Sequence, residues 1–253
     1  MRRSPFLLFI LCLSLTAQAQ TGSIGDNVRA AMASEIRTEQ DRARDVHRKP
    51  DQVLEFFGLE QNMRVIEIWP FGGWYTKILG PVLREEGQLF TTQPYLGSYS
   101  EGLDPTLQLN GMDKVEKLDY NYVRGTGQRA NWIGPAGDWK VEPVDMVLTF
   151  QNYHNLEYDD RMALNKSTFN ALKPGGIYGI VDHTRRHMEE GARFNGRRMD
   201  PVLVIKEVID SGFEFVDYSN LLAMPDDALT LEVGQPEVSG KSDRFTLKFR
   251  KPE

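Results

Sequence analysis

The sequence predicts an α/β fold: a doubly wound, mostly parallel sheet with helices on both faces and an antiparallel strand at one edge. Three observations carry that expectation. Strand-like apolar runs alternate with helix-like segments along most of the chain, the pattern of βαβ units. Residues 144–152, VDMVLTFQN, are apolar almost without a break, as in a strand buried on both faces. The last two strand-like runs, FEFVDYSN and DRFTLKFRK, have no clear helix between them, so an antiparallel pair is expected at that edge.

The elements follow in order. Arg2 and Arg3 precede an apolar stretch from Phe6 to Leu15, and Ala17-Gln18-Ala19 supplies small residues at the spacing a signal peptidase reads. Residues 1–19 are therefore expected to be a cleaved export signal, too short to span a bilayer, which takes about 20 apolar residues. Cys12 follows Leu11, where a lipid-anchored signal needs a small residue, so no stable membrane anchor is expected after cleavage. The paired arginines loosely match a twin-arginine signal, and a general secretory signal is the reading adopted. The expected location is outside the cytoplasm, in the periplasm.

Residues 20–47 form an N-terminal helical extension in this reading, with DNVRAAMASEIRTEQDRARDVH as one exposed leading helix. The remaining domain spans 48–253. Pro50 opens a helix that Gly58 stops. A strand is expected at 64–69, then a helix in WYTKILGPVLREEG with a bend at Gly80-Pro81, then the strand QLFTTQ. Between 97 and 140 only KVEKLDY reads as a strand. RMALNKSTFNALKPGG is expected to be a helix closed by Lys173-Pro174-Gly175-Gly176, followed by the strand IYGIVDH. PVLVIKEVIDSG is the final helix, and DRFTLKFRK the closing edge strand.

Composition narrows the function. The formal net charge is −6, and the two arginines of the signal are lost on cleavage, so a general nucleic-acid binder is not expected. The single cysteine lies inside the signal, which removes disulfides and thiol chemistry from the mature chain.

In an open α/β sheet, ligands bind beyond the carboxyl ends of the strands near the switch point. Segments 67–75, 91–95 and 150–155 should converge there, with 182–187 nearby. The first holds VIEIWPFGGWYT, laid out as strand, glycine turn and helix. A pyrophosphate cradle needs several glycines so that backbone N–H groups reach the anion. Only Gly72 and Gly73 are available, and Glu67 would repel phosphate. A cofactor without phosphates and with a positive centre suits the turn better.

The order of VIEIWPFGGWYTKILGPVL, DMVLTFQNYHNL, ALKPGGIYGIVDH and SDRFTLKFRKP resembles the class I S-adenosylmethionine-dependent methyltransferases, whose sheet is Rossmann-like. More narrowly, it resembles an exported group of predicted methyltransferases whose first loop reads E-I-x-P-G-G-G-W-Y-T. The resemblance runs from about Arg44 to Pro252. It implies S-adenosylmethionine as cofactor, with Glu67 in the place of the acid that faces its cationic groups. Gly72 and Gly73 take two loop-glycine places, and the cofactor's carboxylate would rest on the N–H groups around Gly73. Trp69 and Phe71 occupy the first two glycine places of the wider E-x-G-x-G-x-G pattern. Gln93 stands where the superfamily usually has an acid for the ribose, and can accept one hydrogen bond there. Gln151 and Asn152 complete the expected cofactor set, with Trp69 at its wall.

His154, just past the long apolar strand, reads either as a general base or substrate hydrogen-bonder, or as a residue that caps its own loop. His183 can line the same cleft. Asp182 can orient an imidazole, although neighbouring strand residues point to opposite faces. His187 reads as surface. His154, His183, His187 and Asp182 form no usual metal spacing, and no metal is expected. No G-x-S-x-G elbow is present for a hydrolase. Trp69, Trp74, Tyr75 and Tyr153 either wall the pocket, with a cation over a ring, or pack the sheet against the leading helices. Residues 185–198 read as a lid or a solvated loop. Together these readings predict methyl transfer from S-adenosylmethionine to an unidentified small acceptor, with His154 and His183 handling its proton. The alternative is an exported small-molecule-binding protein of the same fold without transfer activity.

Overall fold

A computed structural model describes residues 23–92, 102–118, 123–124, 132–133, 139–190 and 196–253. The N-terminal segment carries α1 (Ile24–Ala33), α2 (Glu39–Ala43), α3 (Asp45–Arg48) and α4 (Pro50–Phe57). Then come β1 (Arg64–Ile68), α5 (Thr76–Leu83), β2 (Gln88–Thr92), α6 (Asp104–Leu107) and β3 (Glu116–Leu118). A small ribbon of β4 (Val123–Arg124) and β5 (Trp132–Ile133) leads to β6 (Val144–Phe150) and α7 (Tyr158–Ala171). The chain continues through β7 (Leu172–His183), α8 (Pro201–Asp210), β8 (Glu214–Ser219) and β9 (Arg244–Arg250). The export signal and Gln93 lie outside the described residues. No helix among the described residues is long and apolar enough to cross a membrane.

Seven strands form one sheet in the order β3-β2-β1-β6-β7-β9-β8. Pairs from β3 through β7 are parallel, and β9 runs antiparallel to both β7 and β8. The doubly wound, Rossmann-like expectation holds, with its antiparallel pair at one end. One detail changes: β9 is the second strand from the edge, and β8 is the edge itself. The alternation in DRFTLKFRK marks two covered faces. Phe245, Leu247 and Phe249 enter one core, while Arg244 and Lys248 bond the carbonyls of His47 and Phe56 beneath the N-terminal helices.

Period-2 alternation sends the strand residues into two cores. Ile66, Ile68, Val147 and Ile180 pack with Leu164, Val204 and Val208 of α7 and α8. Val65, Met146, Leu148 and Val181 pack on the other face with α1, α4 and α5. Contact there is close enough that a Cβ on Gly179 of β7 would fall 2.7 Å from Leu148 Cδ2 and 2.9 Å from the Phe57 ring.

The leading segment is not one exposed helix. Ser34 ends α1 in an extended conformation, and a capping box between Thr38 and Asp41 opens α2. Lys49 takes φ +40° before Pro50, because proline disfavours the helical region for its predecessor. Val28 and Ala31 are core residues, and Arg37 is buried with its guanidinium on Asp45 at 2.6 and 2.9 Å. The helix α7 also ends earlier than the sequence suggests. Lys173–Gly176 bulge from the start of β7, where Leu172 pairs with Val144 and Ile177 with Met146. The Gly175 N–H and Gly176 carbonyl are both taken by Lys251, which keeps the bulge inside the sheet.

Candidate functional site

The turn after β1 has left-handed backbone at alternate residues: Trp69 and Phe71 at φ +49°, and Gly73 at +76°. These are the three glycine places of the wider loop pattern. Two of them hold rings, each at a cost of roughly 1–2 kcal/mol in backbone strain. The surroundings hold the turn in place. Trp69 N–H donates to the Thr92 carbonyl at 2.8 Å, and the buried Asn152 amide donates to the carbonyls of Ile68 (2.8 Å) and Trp69 (3.3 Å). Trp69 itself is only 2% exposed.

The two glycines do different things. A Cβ at Gly73 would lie 2.7 Å from Thr106 Cγ2, whereas one at Gly72 would meet nothing within 4 Å. Gly73 N–H donates inward to the Pro70 carbonyl at 2.8 Å, so that donor is not turned toward an incoming carboxylate. Of the N–H groups expected around Gly73 to meet an anion, its own is therefore taken. Its work is to let the loop close on α6, where Thr106 Oγ1 bonds the Gly72 carbonyl at 3.0 Å.

A cavity of about 400 Å³ opens beyond the ends of β1 and β6. Glu67, Trp69, Gly72, Gln151 and Asn152 line it, as expected of cofactor residues. Its aromatic wall is built by Trp74 edge-on to Tyr75 (4.7 Å) and Tyr75 stacked on Phe150 (3.6 Å, 11°). Glu67 is buried and accepts from Thr76 Oγ1 at 2.6 Å. Burial pushes its carboxyl up to about 8, against the pull of the Thr76 bond and the charge of Arg48. The α2–α3 segment contributes Asp41, Arg44 and Arg48 to the lining. Arg48 donates to Gln151 Oε1 at 2.9 Å and lies 4.6 Å over the Trp74 ring.

His154 and His183 come together, with rings 5.5 Å apart, but neither lines this cavity. Both are buried around Asp182 at the end of β7. Asp182 serves the other histidine, not its neighbour's ring. Its Oδ1 lies 2.6 Å from His154 Nδ1, its Oδ2 accepts the His154 backbone N–H at 2.9 Å, and Oδ1 also takes the His183 N–H at 2.7 Å. His183 Nδ1 instead meets Ser242 Oγ at 2.7 Å. Burial drives His183 down to about 3, with Asp182 opposing and the charges of His154, Arg244 and Arg198 adding, so its ring is neutral. Burial also acts to raise Asp182, but its contacts with His154 and the His183 backbone N–H outweigh it and hold the carboxyl below its ordinary value.

The short turn Tyr153–Asn155 carrying His154 is fixed from below. Asn165 Nδ2 donates to Tyr153 Oη (2.8 Å), and Arg161, paired with Glu207 in two bonds, donates to the Leu156 carbonyl. Of the four residues weighed in the sequence as a metal set, His154, Asp182 and His183 offer ligand atoms within 4.8 Å of one another. Two arginines press positive charge on it, which disfavours a cation there. His187 is half exposed and bonds Asp200 at 2.9 Å.

Sequence reasoning missed Arg44, near the end of the extension, and Arg48, the first residue after it, which have no local motif. It also missed the His154–Asp182 pairing, which depends on a loop meeting the next strand 28 residues later.

No protein-family model matches the chain, and no curated protein matches it. Solved structures share its fold. An S-adenosylmethionine-dependent methyltransferase from Aquifex aeolicus superposes with TM-score 0.58, covering 89% of this chain and 97% of its own at 15% identity. The [4+2]-cyclase SpnF gives 0.55 over 87% of this chain and 85% of its own at 18% identity. The glycopeptide N-methyltransferase MtfA, complexed with S-adenosyl-L-homocysteine, gives 0.54 over 81% and 90% at 14% identity. At these identities the likeness establishes a common architecture.

Two predictions follow from the turn and its acid. Gly73→Ala should lower unfolding free energy by about 1–3 kcal/mol, while Gly72→Ala should change it by about 0.5 kcal/mol or less; equal losses in urea denaturation would refute the assignment. The unfolded chain releases the Glu67 proton near 4.5 and the folded chain near 8, so stability should fall as pH rises across that interval. The slope should be at most about 1.4 kcal/mol per pH unit. Glu67→Gln should flatten it, and an unchanged slope would exclude a buried, protonated Glu67.

Proposed function

We propose that the protein transfers a methyl group from S-adenosylmethionine to a small acceptor. The observation that carries this reading is Glu67: a buried carboxyl with no cationic partner at hydrogen-bond distance, at the floor of an aromatic-walled cavity beside the switch point. Its environment suits a ligand that brings positive charge and an apolar body. S-adenosylmethionine supplies an ammonium and a sulfonium that makes its methyl group electrophilic.

The chain's own residues would bind and orient. Glu67, ionised once a cation lies against it, would hold the positive end. Trp69, Trp74, Tyr75 and Phe150 would exclude water and offer ring faces to a cation. Asn152 fixes the loop and Gln151 stands at the rim; Gln93, outside the described residues, completes the proposed set. Alignment of the two reactants in a water-poor pocket is the main contribution such a site makes. His154, oriented by Asp182, is the group assigned to the acceptor's proton, with neutral His183 beside it.

A second reading, binding without transfer, is favoured by the burial of both histidines away from the cavity wall. SpnF, a [4+2]-cyclase, illustrates that this architecture carries more than one chemistry. Export to the periplasm is part of the proposal and rests on Arg2, Arg3, the apolar run and Ala17-Gln18-Ala19.

Calorimetry on the mature protein should show S-adenosylmethionine and S-adenosylhomocysteine binding at micromolar levels. Affinity for the former should rise toward pH 8, because binding expels the Glu67 proton, and Glu67→Gln should abolish the rise. Absence of heat at high micromolar ligand would reject the cofactor. For export, residues 1–25 fused to a reporter should deliver it to the periplasm with cleavage after Ala19; a reporter retained in the cytoplasm would reject the signal.

A further inference from the structure

Two arginines, Arg44 and Arg48, line the cavity that holds Glu67, and a third, Arg244, lies within reach of their charge. Arg44 follows α2, Arg48 ends α3 and Arg244 begins β9. Arg44 and Arg48 both lie over the Trp74 ring, at 5.9 and 4.6 Å. Arg244 is buried, and its guanidinium spends its bonds on the carbonyls of Ser242 (3.1 Å) and His47 (2.9 Å). Among the described residues none of the three forms an ion pair. The acids nearby are committed elsewhere: Asp41 to Lys77 at 2.9 Å, Asp45 to Arg37 at 2.6 Å, and Asp243 Oδ1 to the Met224 N–H. Glu67 keeps its proton at neutral pH.

Gathering unpaired guanidinium groups in a partly closed site is costly unless an anion joins them. Among the described residues, the Arg48 side chain hydrogen-bonds Gln151, another cavity residue, held at φ +62°. In the loop beneath, the Gly73 N–H is closed on the Pro70 carbonyl.

We propose that Arg48, with Arg44 and Arg244 behind it, forms a carboxylate-binding subsite of the cavity. A planar guanidinium can grip a carboxylate through two parallel bonds, while the Trp74 ring holds its plane. Burial lowers Arg48 to about 9, and the charges of Arg44 and Arg244 add to the effect, so an arriving anion relieves an existing strain. Glu67 lines the same cavity and would ionise once a cation lies against it, so the site can meet both ends of a zwitterion, as an amino-acid group requires. The carboxylate belongs either to the proposed cofactor or to the acceptor. The subsite stands on the cavity's geometry and does not rest on the methyl-transfer reading.

Calorimetry on the mature protein separates the sources, using succinate, S-adenosylmethionine and its decarboxylated analogue. Succinate should bind the native protein at millimolar levels and at least about tenfold more weakly after Arg48→Gln, with part of the affinity recovered by Arg48→Lys. If the decarboxylated analogue binds about tenfold more weakly than the intact cofactor, and Arg48→Gln erases that difference, the carboxylate is the cofactor's. If the two bind equally while succinate still depends on Arg48, it is the acceptor's. Succinate binding that depends on Arg48 without any cofactor binding would reject methyl transfer and leave the subsite standing. Should Arg48→Gln change neither the succinate affinity nor the cofactor ratio, the subsite is refuted.

Discussion

The left-handed turn at residues 69–73 is the constraint on which the site depends. A strand ending at Ile68 must reverse quickly to let α5 pack back on the sheet, and it does so through three left-handed residues. Glycine would allow this without strain, but here only the third is glycine. The energy that holds Trp69 and Phe71 in place comes from neighbours: the Asn152 amide, the Thr92 carbonyl and a core that encloses Trp69. The turn in β6's loop is thereby coupled to the turn after β1. A change at Asn152 would reach the cavity through two carbonyls rather than through any ligand contact.

Electrostatics give the cavity its character. The lining holds an acid made neutral by burial, and guanidinium groups whose nearest acid, Asp41, is paired with Lys77. Each is unfavourable alone, and each becomes favourable opposite a matching charge. Tolerated mismatches of this kind mark where a fold departs from local optimum for binding. The His154–Asp182 pair is the contrary case. There both carboxylate oxygens are satisfied within the protein.

What could be read from the sequence follows from the range of the signal. The strands at 64–68, 88–92 and 144–150 were evident because apolar runs and period-2 burial are local properties. The cavity residues Glu67, Trp69, Gly72, Gln151 and Asn152 were legible because strand ends in this architecture face one crevice. The extension was misread as one helix because charge and alanine content outweighed the caps at Ser34 and Thr38. Arg48 was invisible: its meaning depends on Trp74 and on Gln151, 103 residues away. The backbone at Trp69 and Phe71 was equally hidden, since tertiary packing alone keeps bulky residues in a conformation that favours glycine.

The position of β9 between β7 and β8 has a consequence for how the molecule assembles. During synthesis β8 is made first, yet the only strand beside it in the sheet is β9. Until residues 244–250 emerge, the outer edge of β7 and all of β8 are unpaired, and Phe215, Val216 and Tyr218 are left without a sheet. The parallel half can form early, while the antiparallel end must wait. A chain interrupted before Arg244 would expose two open strand edges, the condition under which β-structure recruits further chains instead of closing on itself.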